Sequence, residues 1–181
     1  MSSTSRSTPN PRWIYDVFLN FRGRDTRAIF VSHLYNSLTN AGIYVFKDNE
    51  ELPLGGQISE SLLQAIQVSN IAIIVFSRNY GNSKWCLKEL EKIMDCRRTK
   101  RQVVIPVFYN IDPSDVGYQK GAFGKAFQQL RKRVSNHEIR VWEKILGEAS
   151  KLSGFHLNNS RFSCVDKNIR GLPIFKTLTR K

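Results

Sequence analysis

An alternation of short apolar runs with segments of helical spacing is the feature that most constrains this fold. Runs rich in Val, Ile and aromatic residues favour β-strands, and they lie at Tyr15–Phe21, Ile43–Phe46, Ile71–Phe76 and Val103–Tyr109. The third run is almost wholly apolar, which is typical of a strand buried on both faces. A short last strand is expected at 154–157.

Stripes of apolar residues at helical spacing separate these runs. Phe30, Leu34 and Leu38 recur every four residues before Gly42, which offers a helix stop. Two more stripes consist of Ile58, Leu62, Ala65 and Ile66, and of Leu87, Leu90, Ile93 and Met94. Asp112 is a plausible helix cap, and another helix is expected at about 138–152. The alternation predicts an α/β fold, with helices on both faces of a mostly parallel sheet.

Composition indicates a single globular domain. The 181 residues are 41% hydrophobic and 24% charged. No apolar run approaches the roughly 20 residues that a membrane-spanning helix needs, and the first dozen residues lack the apolar segment of a secretory signal. Cys86, Cys96 and Cys164 are an odd number without paired metal-type spacing. We therefore expect reduced thiols in the cytoplasm or the nucleus.

The formal charge of +13 raises the question of an anionic partner. Basic residues cluster at Arg97–Arg101, at Arg131–Arg133 and near the C-terminus. Such clusters can hold phosphates or nucleic acid. Solvated faces and tails are the more common explanation, and we favour it here.

A ligand site is expected beyond the carboxyl ends of the strands, where ligands bind in open parallel sheets. The third run leads into a loop that turns into a helix, with a candidate ligand site at Ser83–Leu90 (SKWCLKEL). Trp85 and Glu89 are four residues apart and share a helix face. An aromatic plate beside a carboxylate suits a nucleotide with a cationic ring. Spacing alone favours the alternative that Trp85 is a core residue and Glu89 an ordinary polar helix position.

Other catalytic patterns are not evident in the sequence. His33, His137 and His156 lie far apart without metal-ligand spacing, and we interpret them as non-catalytic. The glycines at 55–56 and 121–124 lack the ending and the spacing of a phosphate-binding P-loop. No metal site is predicted.

Five sequence blocks closely resemble plant Toll/interleukin-1 receptor (TIR) domains. The blocks are YDVFLNFRGRDTR (15–27), FKDNEELPLGGQIS (46–59), IIVFSRNYGNSKWCLKEL (73–90), VIPVFYNIDPSDV (104–116) and WEKILGEASKLSGFHL (142–157). They occur in the order that the family has. The resemblance implies a flavodoxin-like five-stranded parallel sheet flanked by helices. It implies a TIR domain at 13–157, between a disordered leader at 1–12 and a basic, atypical tail at 158–181.

The resemblance also implies an activity. Competent TIR domains of this family hydrolyse NAD⁺ or NADP⁺, which is the substrate and not a bound cofactor, in plant innate immune signalling. The family's catalytic carboxylate falls on Glu89. Its nucleotide-binding positions fall on Arg22, Gly23, Gly55, Ser83 and Trp85. A carboxylate near the ribose suits this chemistry, because cleavage of an N-glycosidic bond passes through an oxocarbenium-like state.

Assembly is the second implied property. TIR domains of this family signal as oligomers through their first and last helices, and Ser32 and His33 match the interface pair of the first helix. The expected partners are further copies of the chain, other TIR domains and TIR-type immune receptors. The last helix is not recognisable in 158–181. We interpret this as a truncated or alternatively spliced end. The resemblance stops before the nucleotide-binding and leucine-rich repeat regions of full receptors, so we expect a TIR-only protein or a fragment of a longer one.

Two alternative functions are open, and departures from the family pattern support the first of them. Arg24 stands where an acidic residue is usual, and Leu54 stands where a basic residue usually precedes the glycine. A non-catalytic adaptor that associates with other TIR domains is the first alternative. Nucleic-acid binding through the basic surface is the second.

Overall fold

The computed structural model describes residues 13–26, 30–47 and 60–158. Within these ranges five strands form one sheet, and they are β1 (Tyr15–Phe21), β2 (Val45–Lys47), β3 (Ser69–Phe76), β4 (Val103–Tyr109) and β5 (Phe155–Leu157). Their order is β2-β1-β3-β4-β5, and every neighbouring pair is parallel. The predicted five-stranded parallel sheet is confirmed.

Seven helices lie in the same described ranges. They are α1 (Gly23–Thr26), α2 (Ser32–Asn40), α3 (Glu60–Gln67), α4 (Lys84–Lys100), α5 (Pro113–Gly117), α6 (Gly121–Arg131) and α7 (Asn136–Ala149). One 3₁₀ turn, Tyr80–Asn82, precedes α4. The expected helix stop is confirmed at Gly42, whose φ of 77° is readily adopted by glycine. Asp112 caps α5 through Oδ1, which accepts from the Ser114 N–H at 2.8 Å.

Several boundaries differ from the sequence predictions. The third strand was predicted to begin at Ile71, but β3 begins at Ser69. The second strand was predicted to begin at Ile43, but β2 begins at Val45, two residues further on. The helix α7 begins before the predicted position 138, because the Ser135 side chain and Glu138 form a reciprocal capping box. It ends at Ala149 and not at 152. The prediction included no helix at α6.

The sheet separates two buried apolar clusters. Val17, Leu19 and Phe21 of β1 pack with α2 on one face. Phe18 lies between Val17 and Leu19 and therefore faces the other side of the sheet, where it packs with side chains of α3, α4, α6 and α7. Leu87, Leu90, Ile93 and Met94 of α4, the predicted stripe, are all buried there. The prediction of helices on both faces is confirmed.

The order of the strands reverses between β1 and β3. From β1 the chain runs outward to β2, and it then returns across β1 to place β3 on its other side. Phe21, the last residue of β1, pairs with Val75 near the end of β3. The carboxyl ends of two central strands therefore lie side by side, which is where ligands bind in sheets of this order.

Candidate active site

The candidate segment Ser83–Leu90 forms the start of α4. Ser83 has extended backbone angles, and its Oγ accepts from the Cys86 N–H at 3.3 Å. This side chain therefore caps the helix. Trp85, Cys86 and Glu89 follow in the first two turns of the helix. Ser83 was predicted to bind nucleotide. In the structure its side chain caps the start of the helix that carries Trp85 and Glu89.

Glu89 is buried, with 7% of its surface exposed. Asn20 Nδ2, at the end of β1, donates to Glu89 Oε2 at 2.8 Å. Burial of a carboxylate is costly unless hydrogen bonds compensate for the lost water. Trp85, one turn earlier on the same helix, is only half-buried. The arrangement does not match the alternative that spacing alone favoured, because Trp85 is not a core residue and Glu89 is not an ordinary surface position.

Tyr80 completes a buried polar group around Glu89. Its hydroxyl donates to Asn20 Oδ1 and lies 3.0 Å from the Cys86 carbonyl oxygen. Burial, followed by electrostatic interaction with the Cys86 and Glu89 side chains, holds the pKa of Tyr80 well above its ordinary value. Burial and the Glu89 charge raise the pKa of the Cys86 thiol to about 12. Tyr80 and Cys86 are therefore both protonated at neutral pH.

Arg22 leaves β1 and connects the two strand ends. Its Nη1 donates to the Asn79 carbonyl oxygen at 2.8 Å, and its Nε lies 3.7 Å from Asp25 Oδ1. Asp25 Oδ2 accepts from the Ser77 hydroxyl at 2.7 Å and from the Asn79 N–H at 2.9 Å. The Arg22 side chain is 20% exposed, and its guanidinium carries five N–H donors in all. It is thus held at the rim of the site by contacts with the loop that follows β3.

The other predicted residues lie in three places. Gly23 begins α1, beside Arg22, and Arg24 is an exposed residue of the same short helix. Gly55 lies outside the described residues. Ser32 and His33 are half-buried at the start of α2, on the face of the sheet opposite α4. The structure thus brings Arg22, Glu89 and Trp85 to one end of the sheet and places the predicted interface pair elsewhere.

Three residues of the site were not predicted as site residues, and they are Asn20, Asp25 and Tyr80. Asn20 carried a usable signal, because it is a polar residue inside an otherwise apolar strand and therefore needs a buried partner. Asp25 and Tyr80 carried no comparable signal, because acidic residues and tyrosines are common in polar loops.

In the ranges 13–26, 30–47 and 60–158, no group of three or more His, Cys, Asp or Glu is arranged to hold a metal ion. None of the helices described has both the length and the apolar character needed to cross a membrane.

The family model of the TIR domain matches residues 14–167. This chain belongs to the TIR domain family. Among curated proteins it is 47% identical over 156 residues to TMV resistance protein N of Nicotiana glutinosa, covering 85% of this chain and 13% of that protein. It is 47% identical over 163 residues to disease resistance protein RPV1 of Vitis rotundifolia, covering 89% of this chain and 12% of that protein. The TIR domain thus spans about an eighth of each of these relatives.

Solved structures give the same result for the fold. The TIR domains in the structure of the activated Roq1 resistosome, which directly recognises the pathogen effector XopQ, match with a TM-score of 0.78 and 40% identity. The match covers 91% of this chain and 99% of that one. The TIR domain of the Toll-related receptor TRR-2 from Hydra magnipapillata matches with a TM-score of 0.51 at 18% identity, a likeness of fold alone. The predicted family and the predicted TIR fold are both confirmed.

Proposed function

We propose that this TIR domain hydrolyses NAD⁺ or NADP⁺ in plant innate immune signalling, with Glu89 as the catalytic carboxylate. The observation that carries the proposal is a buried, hydrogen-bonded carboxylate at the point where the strand order reverses. Trp85 lies one helical turn away and Arg22 lies at the adjacent strand end. An anionic group, an aromatic ring and a guanidinium suit the ribose, a planar base and the phosphates of a dinucleotide.

The reaction breaks the bond between the nicotinamide nitrogen and C1′ of the ribose. The bonding electron pair passes to the ring nitrogen and neutralises its positive charge, so nicotinamide leaves as a neutral molecule. Positive charge then develops on the ribose, where the Glu89 carboxylate stabilises it. Water adds at C1′ and releases one proton. The products are nicotinamide and an ADP-ribose-type molecule.

Nicotinamide release from NAD⁺ tests the proposal. The full chain is assayed over a series of protein concentrations, beside Glu89→Ala and the isosteric Glu89→Gln. We expect each variant to lose at least about a hundredfold in rate, the effect of removing one preorganised electrostatic group. Circular dichroism checks that the variants remain folded. If folded Glu89→Gln released nicotinamide as fast as the wild type, the proposal would be wrong.

Assembly with other TIR domains is part of the same proposal. The relative of known structure is described in an activated resistosome, and Ser32 and His33 lie on α2, away from Glu89. We expect the rate per molecule to rise steeply with protein concentration, because self-association would complete the site. Ser32→Ala with His33→Ala should reduce that dependence and leave the fold unchanged.

A non-catalytic adaptor is the second candidate function. The observation that favours it is Arg24, which adds an exposed positive charge beside Arg22 where relatives of this type usually carry an acidic residue. The same experiment separates the two functions. An adaptor associates with another TIR domain but releases no nicotinamide at any concentration.

Nucleic-acid binding has the weakest support. Arg98 pairs with Glu148 at 3.2 Å, Arg131 pairs with Glu143 at 3.2 Å, and Lys100 Nζ donates to the Gln67 carbonyl oxygen at 3.4 Å. Basic side chains in the last turn of α4 also stabilise that end of the helix. These contacts give the basic clusters at 97–101 and 131–133 a role within the domain, and the cluster near the C-terminus lies outside the described residues.

A further inference from the structure

Asn20 is a polar side chain in a position where the strand otherwise carries apolar residues. It alternates with Leu19 and Phe21, which face α2, and so it shares with Phe18 the face that packs against α4. None of its surface is exposed. A fully buried amide is costly unless its hydrogen-bonding groups are satisfied. The hydrogen bonds that compensate for the burial of Asn20 therefore indicate the role of this residue.

The partners of Asn20 fix the orientation of its amide. The carboxylate of Glu89 can only accept, so the amide nitrogen faces it, at 2.8 Å from Oε2. The same nitrogen lies 3.4 Å from the Cys86 carbonyl oxygen. The Tyr80 hydroxyl, which has a proton to give, donates to the amide oxygen. The opposite orientation would set the amide oxygen against the carboxylate and leave both ends of the amide poorly paired.

Charges from several elements act on this group. Glu89 of α4 raises the pKa of Tyr80, which lies on the 3₁₀ turn, and the pKa of the Cys86 thiol. Arg22 lowers the pKa of the same thiol, and Asp25 raises it. A hydrogen bond to the charged form of an acid favours that form. The Asn20 contact therefore favours the carboxylate over the carboxylic acid and holds it in one rotamer.

We propose that Asn20 is a positioning residue, which fixes the rotamer of the Glu89 carboxylate and keeps it ionised, and that Tyr80 orients Asn20 for this role. The inference rests on the proposed NAD⁺ hydrolysis. Because Asn20 has no exposed surface, it does not touch the substrate and acts only through Glu89. Its removal therefore changes the catalytic step and not the binding of NAD⁺.

The test compares the full-length wild type with three variants. Asn20→Leu keeps the branching and the number of side-chain heavy atoms and removes the donor, and Tyr80→Phe removes only the hydroxyl. Phe18→Leu is the matched control, because it perturbs the same face of β1 and leaves the Asn20 amide and its hydrogen bond to Glu89 in place. Two quantities are measured against pH, namely the kcat and KM of nicotinamide release and the ¹³C carboxyl shift of Glu89, assigned with Glu89→Gln.

For Asn20→Leu we expect kcat to fall at least about tenfold and KM to change less than about twofold. The acid limb of its pH profile and the titration of Glu89 should both move up by about one to two pH units, the size of one hydrogen bond to a charged group. Tyr80→Phe should shift the acid limb and the Glu89 titration in the same direction, but by a smaller amount. Phe18→Leu should titrate like the wild type, whatever its stability.

The outcomes separate this inference from the proposed function. If Asn20→Leu matched Phe18→Leu in kcat and in titration, the inference would be wrong while NAD⁺ hydrolysis could stand. If the wild type released no nicotinamide, the hydrolysis proposal would fail, and the carboxyl titration alone would decide the inference. If Asn20→Leu did not fold, Tyr80→Phe would decide it, and an unshifted Glu89 in that variant would overturn the role of the hydroxyl.

Discussion

Asp25 connects the two strand ends that form the site, and its removal gives a quantitative test of the structure. The carboxylate accepts from the Ser77 hydroxyl at 2.7 Å, from the Asn79 N–H at 2.9 Å and from Asn79 Nδ2 at 3.3 Å. It also lies 3.7 Å from Arg22 Nε. In Asp25→Ala the Ser77 hydroxyl, only 2% exposed, loses this acceptor.

The expected loss follows from these contacts. A hydrogen bond to a charged group contributes about 1.5–3 kcal/mol, and bonds to one carboxylate are not additive. The side chain is 13% exposed, so water replaces part of what is lost. We expect Asp25→Ala to lower the free energy of unfolding by about 2–4 kcal/mol. The isosteric Asp25→Asn keeps one acceptor oxygen and should lose about 1–2 kcal/mol.

Urea unfolding followed by circular dichroism measures this loss. With a slope of about 2 kcal/mol per molar urea, Asp25→Ala should unfold at a concentration about 1–2 M lower than the wild type. Arg24→Ala is the control, because its exposed side chain belongs to the same short helix and should change stability by less than about 0.5 kcal/mol. A midpoint for Asp25→Ala within about 0.3 M of that control would refute the reasoning.

Two further predictions concern titratable side chains. The pKa of Cys86 is raised to about 12, first by burial and then by Glu89, so iodoacetamide at pH 8 should modify this thiol far more slowly in the native protein than in urea; peptide mass spectrometry resolves it from the other cysteines, and equal rates would contradict the prediction. The pKa of Glu138 is lowered, first by the hydrogen bond from Lys84 and then by the Ser135 N–H. A lowered pKa stabilises the fold above the ordinary pKa of glutamate, and this stabilisation is lost as the pH falls through the folded-state pKa. Glu138→Gln should therefore unfold at lower urea than the wild type at pH 7, and the difference should shrink by pH 3; an unchanged difference would show that the charge of Glu138 is not involved.

Much of the fold could be predicted from the sequence, because the periodicity of apolar residues is clear in strands and helices that bury one regular face or stripe. The bounds of β1 and β4 were predicted to the residue, and the stripe of α4 is buried as expected. The helix α6 was missed because Gly121 and Gly124 resemble helix breakers. Gly124 is there for a packing reason, since a Cβ at this position would lie 2.1 Å from the Gln119 carbonyl oxygen. A close approach between backbone segments leaves no periodic signal in the sequence.

The candidate site was predictable only in part. The motif SKWCLKEL directed attention to Glu89 and Trp85, and the resemblance added Arg22. No local pattern could join Asn20 or Tyr80 to Glu89, because their contacts depend on the pairing of β1 with β3 and on the packing of α4 against that pair. The roles predicted for Glu89, Arg22, Gly23, Ser83 and Trp85 in binding or catalysis stay predictions.

The buried group of Asn20, Tyr80 and Glu89 has a consequence for any divided form of this chain. A cut between β2 and α3 would leave Asn20 on one piece and the other two residues on the second piece. Neither piece would hold a complete site, although the second would keep the whole SKWCLKEL motif. Function could return only when β1 of the first piece paired again with β3 of the second piece during reassociation. Activity regained by two complementing fragments would thus report that the centre of the sheet had been rebuilt.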